Sequence, residues 1–332
     1  MRVRTDQTPG FVDEMVAVPD TELTVLNERV DWPEIERLLE PVEGDYVGLS
    51  LFKMLLLQTW HNLSDDGIAK ALTRDLVFIR FCGFSLEGHK PDASTLCRFR
   101  NRLVRHDLFD SLLRVVNQSL EVNGLKLAHG KYISSDATLI ASARRPKRVL
   151  QGQKTELDYY EMADVVYSDD REAAWIKKGS QSVYGYSASV TTDESGLIEA
   201  VSTFAANCSE MTRLEEVLNR VSPSPGQTLL YDKGVDSAAN RHHLKARGLK
   251  DGIMRKKPEG QAMAYWERIR NKLISQRRFV TERTFGTLRR TYGLYRSRYV
   301  GLVKTQAEVM IKAIAYNLRR GLNNALRAIE MG

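Results

Sequence analysis

The chain has 332 residues, 42% of them hydrophobic, with 49 Lys and Arg against 42 Asp and Glu, a formal charge of +7 at pH 7. That length and apolar content exclude a disordered chain and suit two domains, or one domain with a large appendage. Three scattered cysteines, Cys82, Cys97 and Cys208, exclude a disulfide framework or zinc ribbon, and the basic surplus favours a polyanionic partner.

No apolar leader opens the sequence. Its most apolar run, residues 49–60, is too short for a membrane span and carries Lys53, so a cytoplasmic protein is expected. Residues 1–30 read as an arm with a short helix. From Trp32 to about Leu125 the pattern is helical. Pro33 marks one helix start, residues 47–60 form a strongly apolar helix, and Ser64 caps another whose first turn holds Asp65 and Asp66. After the loop 83–91, Asp92 and Ser94 cap a helix over 95–105. Its basic residues Arg98, Arg102 and Arg105 recur at three-to-four spacing. Such short helices suit a helix-turn-helix-like DNA reader with 92–105 as recognition helix, or equally a plain bundle with an exposed arginine face. Residues 1–125 are thus read as a helical N-terminal domain and 126–332 as a second domain.

After Gly124 the period shifts to that of strands. Residues 131–142 read as a strand with Asp136 in its middle. Residues 184–191 and 197–204 flank a turn containing Asp193 and read as an antiparallel hairpin. Thr212 and Glu215 form a capping box before a helix. Residues 228–232 are a short buried strand ending in Asp232, followed by Lys233 and Gly234. A helix over 237–247, with Asp236 as its cap, stops at Gly248. A last strand at 252–254 precedes the long helix carrying Glu282, which meets no breaker until Gly286. An amphipathic helix from Thr305 to about Leu326 closes the chain. Residues 143–181 read as a mobile basic insertion. The order is that of a mixed α/β domain with a partly antiparallel sheet.

Three acids stand out. Asp136 lies in an otherwise uncharged strand, where aspartate is disfavoured. Asp232 ends a strand, where open sheets place ligand sites. Glu282 is framed by Arg278 four residues before and Arg289 seven after, offsets that turn all three to one face of an ideal helix. Three carboxylates can hold two divalent ions about 3.5–4 Å apart. Hard oxygen donors select Mg²⁺, with Mn²⁺ as a substitute, and guanidinium forks hold phosphate. Together these are the needs of nucleic-acid backbone cleavage. The plainer alternatives are turn-forming aspartates and a solvated basic helix. No Walker-type loop is present, so no nucleotide cofactor is expected. His242 and His243 face different ways and form no ligand cluster. Trp266 reads as core, with contact to an unpaired base as the alternative.

Asp136-Ala-Thr on a strand, Asp232-Lys-Gly before a helix and Arg278-x3-Glu282-x6-Arg289 resemble the bacterial DDE insertion-sequence transposases, in particular the group named for insertion sequence five. Leu63-Ser-Asp-Asp, Phe81-Cys-Gly-Phe, residues 91–100 and Leu108-Phe-Asp match as well, so the likeness covers roughly residues 49–318. The resemblance implies an RNase-H-like catalytic domain behind an all-helical N-terminal domain that binds DNA ends. It implies cleavage at terminal inverted repeats and joining of the 3′ ends to target DNA by two-metal phosphoryl transfer. Mapped by motif, Asp136, Asp232 and Glu282 are the catalytic, metal-binding triad. Arg278, Arg289, Lys233, Arg283, Arg98 and Arg102 are the expected DNA contacts. Double-stranded DNA, as transposon end and target, is the expected partner, bound by a homodimer at the bacterial nucleoid. Two rivals stay open: an RNase-H-like nuclease that never joins ends, and a non-catalytic DNA-binding derivative. Ser275 stands where the related insertion-sequence-four pattern has tyrosine, and Arg289 where it has lysine.

Overall fold

In a computed structural model, residues 21–126, 130–144, 146–148, 165–166 and 169–330 are described, 324–330 as backbone only. The expected N-terminal arm, apart from its helix, and most of the basic insertion lie outside these residues.

Among the described residues seven α-helices come first: α1 (Glu22–Arg29), α2 (Trp32–Leu39), α3 (Gly48–Trp60), α4 (Asp65–Ala71), α5 (Leu76–Cys82), α6 (Ala93–Arg105) and α7 (Phe109–Val122). Their starts follow local chemistry. Ser64 Oγ accepts from the Gly67 N–H at 2.9 Å, and Asp92 Oδ1 from the Thr95 N–H at 2.7 Å, each satisfying an orphan donor of a first turn. The α3 helix is apolar on all sides because it is buried on all sides, with Leu51, Phe52, Met54, Leu55, Leu56 and Leu57 in the core.

The sheet is built from β1 (Tyr132–Ala141), β4 (Ala174–Lys178), β5 (Gln181–Thr192), β6 (Ile198–Ala205), β7 (Thr228–Tyr231) and β8 (Lys250–Ile253). Two further strands, β2 (Lys147–Arg148) and β3 (Val165–Val166), form a separate ribbon. In the main sheet β5 pairs with β1 on one side. On its other side it pairs with β4 along its first half and with β6 along its second. These pairings are antiparallel, whereas β1–β7 and β7–β8 are parallel. A meander joined to two parallel strands is the RNase-H-like mixed sheet expected. Close β1–β5 pairing requires Gly185, where an added Cβ would lie 2.0 Å from the Ile140 carbonyl oxygen.

Helices α8 (Glu210–Asn219) and α9 (Ala238–Ala246) connect the later strands, α10 (Tyr265–Arg290) lies against β1 and β7, and α11 (Leu302–Glu330) closes the chain. The last helix, expected to be amphipathic, buries its polar face as well: residues 307–318 are all buried, Glu308, Lys312 and Asn317 included. Val309, Met310, Ala313, Ile314, Ala315 and Leu318 are all buried, because α11 runs between the N-terminal helices and the sheet and is covered by both. The two parts consequently share one hydrophobic core. Trp60 Nε1 donates to the Ala315 carbonyl at 2.8 Å across that junction.

Two asparagines lock the junction. Asn317 on α11 accepts from the Ile198 N–H at 2.8 Å, and donates to the Ile198 carbonyl and to Asn117 Oδ1 on α7, both at 2.7 Å. Asn117 donates to the same carbonyl at 2.9 Å. The edge of β6 thus finds its hydrogen bonds in helices of both parts. Asn317→Leu strands a buried N–H and the Asn117 amide oxygen, and unsatisfied buried groups cost about 1–3 kcal/mol each. A loss of about 2–4 kcal/mol in urea unfolding is expected, with unchanged slope.

Several local expectations give way to the structure. Ser209, not Thr212, caps α8, its Oγ accepting from the Met211 N–H, while the Thr212 hydroxyl donates back to the Ser209 carbonyl. Ser237, not Asp236, caps α9. The insertion contains β4, which extends the hairpin. Gly286 does not end α10, which runs four residues further. Trp266 is not core but 75% exposed.

Candidate active site

The parallel pairing of β1 and β7 sets the site. Tyr132 faces Thr228, Ile133 faces Leu229 and Ser134 faces Leu230. The same offset carries Asp136 onto Asp232, so the two acids stand level where the strands diverge, with side chains to the same side. Each carboxylate is fixed by the chain just after it. Asp136 Oδ1 accepts from the Ala137 N–H at 2.9 Å, and Asp232 Oδ1 from the Lys233 N–H at 2.7 Å.

Helix α10 covers this face of the sheet. Its buried positions are Ile274, Arg278, Thr281, Thr284, Phe285 and Leu288, an inward stripe at three-to-four spacing. The Thr281 and Thr192 hydroxyls lie 2.9 Å apart, and Thr284 Oγ1 donates to the Gly196 carbonyl at 3.0 Å. Arg278 belongs to that stripe. Its side chain is only 8% exposed, with Nη2 3.1 Å from Asp136 Oδ2 and Nη1 3.8 Å from Asp232 Oδ1. One guanidinium therefore bridges the two aspartates, and its Nε has no acceptor.

Glu282 lies one turn further along α10, at the exposed rim of the stripe. Sequence spacing set Arg278, Glu282 and Arg289 on one face. In the fold that face straddles the boundary of burial, so Arg278 points in while Glu282 and Arg289 are exposed. Arg289 Nη1 reaches Thr138 Oγ1, two residues beyond Asp136, at 3.4 Å. Beside it lies a cavity of about 370 Å³, lined by Ala137, Thr138, Leu139, Lys178, Arg289 and Tyr295 among others. The side chains of Lys233 and Arg283 are exposed. Arg98 and Arg102 lie elsewhere, on α6. Arg98 is exposed and donates to Thr95 Oγ1, whereas Arg102 turns back to give its Nε to the Val42 carbonyl at 2.7 Å. Arg100 on the same helix is buried against Asp65 of α4.

The charges explain the geometry. Burial pushes the Asp136 carboxyl above its ordinary value, against the pull of Arg278 and the Ala137 N–H. The negative charges of Asp232 and Glu282 add to the push. Carboxylates driven together in this way call for a cation, and here Arg278 supplies it. Among the described residues no three His, Cys, Asp or Glu side chains are gathered to ligate one ion. Asp136 and Asp232 nevertheless fit a hard divalent cation: both present oxygen donors and already share one positive group. Sequence reasoning missed one acid near this pair, Glu210, which opens α8. Nothing local marks it, and only the packing of α8 against the 233–235 turn brings it close.

Two family models match the chain: a transposase DDE domain over residues 135–318, and a transposase domain of otherwise undefined role over residues 11–102. The chain is 35% identical over 226 residues to a transposase for insertion sequence element IS1106 of Neisseria meningitidis serogroup B. That match covers 68% of this chain and 77% of the relative. Among solved structures, a piggyBac transposase synaptic complex with hairpin DNA aligns with a TM-score of 0.47 at 11% identity, over 92% of this chain and 73% of that one. A Mos1 strand transfer complex gives 0.22 at 11%, over 73% and 76%. Scores this low support no conclusion by themselves. No helix among the described residues is long and apolar enough to cross a membrane.

Proposed function

We propose how this chain works from one premise: it belongs to the bacterial DDE insertion-sequence transposases. It is a DNA transposase, an enzyme that cuts and joins DNA strands, in a family that depends on divalent metal. In our reading Asp136 and Asp232 hold Mg²⁺, with Mn²⁺ as a substitute, and Glu282 completes the set for two ions. Bound there, the ions supply a more acidic water or 3′-hydroxyl and neutralise charge on the leaving oxygen. The protein supplies position. Two adjacent strands hold the aspartates level, and the backbone N–H groups of Ala137 and Lys233 orient them.

Arg289, Arg283, Lys233 and Arg278 hold phosphates next to the acids. Arg98 and Arg102 do so on α6. The helical part, residues 1–125, binds the transposon end and the sheet domain, 126–332, carries the chemistry. Two ends and a double-stranded target call for a homodimer on DNA, in the bacterial cytoplasm at the nucleoid. The observation that carries this reading is that Asp136 and Asp232, just beyond the paired stretch of two parallel strands, are bridged by the Arg278 guanidinium.

Pre-cleaved inverted-repeat ends, mixed with plasmid target and Mg²⁺, are expected to give joined products. Nicking without joining would mark a nuclease, and binding alone a non-catalytic derivative. Arg289→Ala is expected to weaken end binding about equally for all sequences. The slope of log affinity against log salt should fall by about 1, read by fluorescence anisotropy.

A further inference from the structure

We propose that Glu210 is a fourth carboxylate of this active site, set toward the divalent cation on the Asp232 side and kept in place by Arg213; the inference rests on Asp136 and Asp232 being the cation's holders. Glu210 directly follows the Ser209 cap of α8. That end of the helix packs on the short turn Lys233–Val235, which Asp232 begins. A methyl group placed on Gly234 would stand 3.9 Å from Glu210 Oε2, so the carboxylate lies against the turn itself.

An acid in a first helical turn is ordinarily a solvated partner of the helix dipole, a matter of about 0.3–1 kcal/mol. Glu210 does not fit that description. It is partly buried. Burial pushes its carboxyl up against the pull of Arg213 and Lys178, and Asp136 and Asp232 push it further. A third anion therefore lies against the turn that Asp232 begins.

Arg213 is an independent sign that the arrangement serves something besides stability. Its side chain is 2% exposed and 3.8 Å from Glu210, too far for a hydrogen bond. Nη2 donates to Ser187 Oγ at 2.9 Å and the guanidinium lies 4.7 Å over the Phe204 ring, while Nε and Nη1 have no acceptor. Each such buried orphan costs about 1–3 kcal/mol, and the nitrogen that faces Glu210 is Nη2, not one of the orphans. The open pair leaves Glu210 free to turn between its buried counter-charge and a cation at Asp232. Outer carboxylates that orient or share a metal's charge commonly change its affinity 10–100-fold.

The test is Mn²⁺ binding, followed by electron paramagnetic resonance, to the full-length chain on a pre-cleaved DNA end. Wild type, Glu210→Gln and Asp232→Asn are compared, with thermal melts to check folding. Both variants are expected to bind Mn²⁺ at least about tenfold more weakly, and the loss for Asp232→Asn should be the larger. If Asp232→Asn loses Mn²⁺ and Glu210→Gln matches wild type, the role of Glu210 is overturned while the aspartate site stands. If neither variant loses Mn²⁺, the aspartate site falls and Glu210 with it. Should Glu210→Gln melt early, Glu210→Asp carries the test. It keeps the charge but shortens the reach, so weaker Mn²⁺ binding supports the proposal and unchanged binding overturns it.

Discussion

Replacing Asp136 or Asp232 with Asn is expected to lower strand cleavage and strand transfer at least about 10³-fold, leaving affinity for the DNA end within about threefold of wild type. The substitution keeps shape and removes charge, so the expected loss is of the hold on a cation and not of the fold. For Asp136 the effect on stability should run the other way from activity. Its carboxyl is pushed up by burial. A carboxyl whose folded value lies above its unfolded one weakens the fold once pH exceeds both values. At neutral pH that penalty is in force, and Asp136→Asn removes it, offset in part by the lost pairing with Arg278. The variant is therefore expected to melt at or above the wild-type temperature while inactive, the trade expected where a site is held ready against its own repulsion. A variant both inactive and markedly less stable would mean that Asp136 serves the fold.

Arg278→Gln should show the opposite pattern, and its response to metal is the informative part. Without the guanidinium, two level carboxylates face one another with nothing between them. In metal-free buffer the loss is expected to be about 2 kcal/mol. That is below the ~3–5 of a fully buried pair, because Asp232 keeps 41% of its side chain exposed and solvent screens it. Added Mg²⁺ should raise the melting temperature of the variant more than that of wild type, in which an ion must first displace Arg278. An arginine devoted to DNA alone predicts equal rises. Joining activity is still expected to fall in Arg278→Gln, since the displaced side chain is then available to a phosphate oxygen.

Much of this was legible in the sequence because the relevant signals are local. The alternation in 184–191 and 197–204 and the turn at Asp193 gave the hairpin, and Asp193 Oδ1 does accept from the N–H groups of Ser195 and Leu197. An aspartate inside an otherwise uncharged strand and another at a strand end were odd enough to be noticed. What escaped depends on contacts between distant segments. Helical periodicity places side chains relative to one another but does not say which side of the helix is covered, so Arg278 read as a partner of Glu282 rather than of the aspartates. The capping box at Thr212 competed with Ser209 only three positions earlier, and the packing of α8 favoured the earlier start. The burial of α11 on every side could not be foreseen, because its cover comes from α7, α3 and β6, all far away in the sequence. Glu210 and Arg213 were invisible for the same reason.

The most direct measurement is an anomalous-scattering map from crystals of the full chain with a pre-cleaved DNA end and Mn²⁺. The predicted result is Mn²⁺ within about 2.0–2.3 Å of oxygens from both Asp136 and Asp232, with Arg278 turned from between them. Mn²⁺ bound without either aspartate, or Arg278 still bridging the pair at saturating metal, would contradict the account.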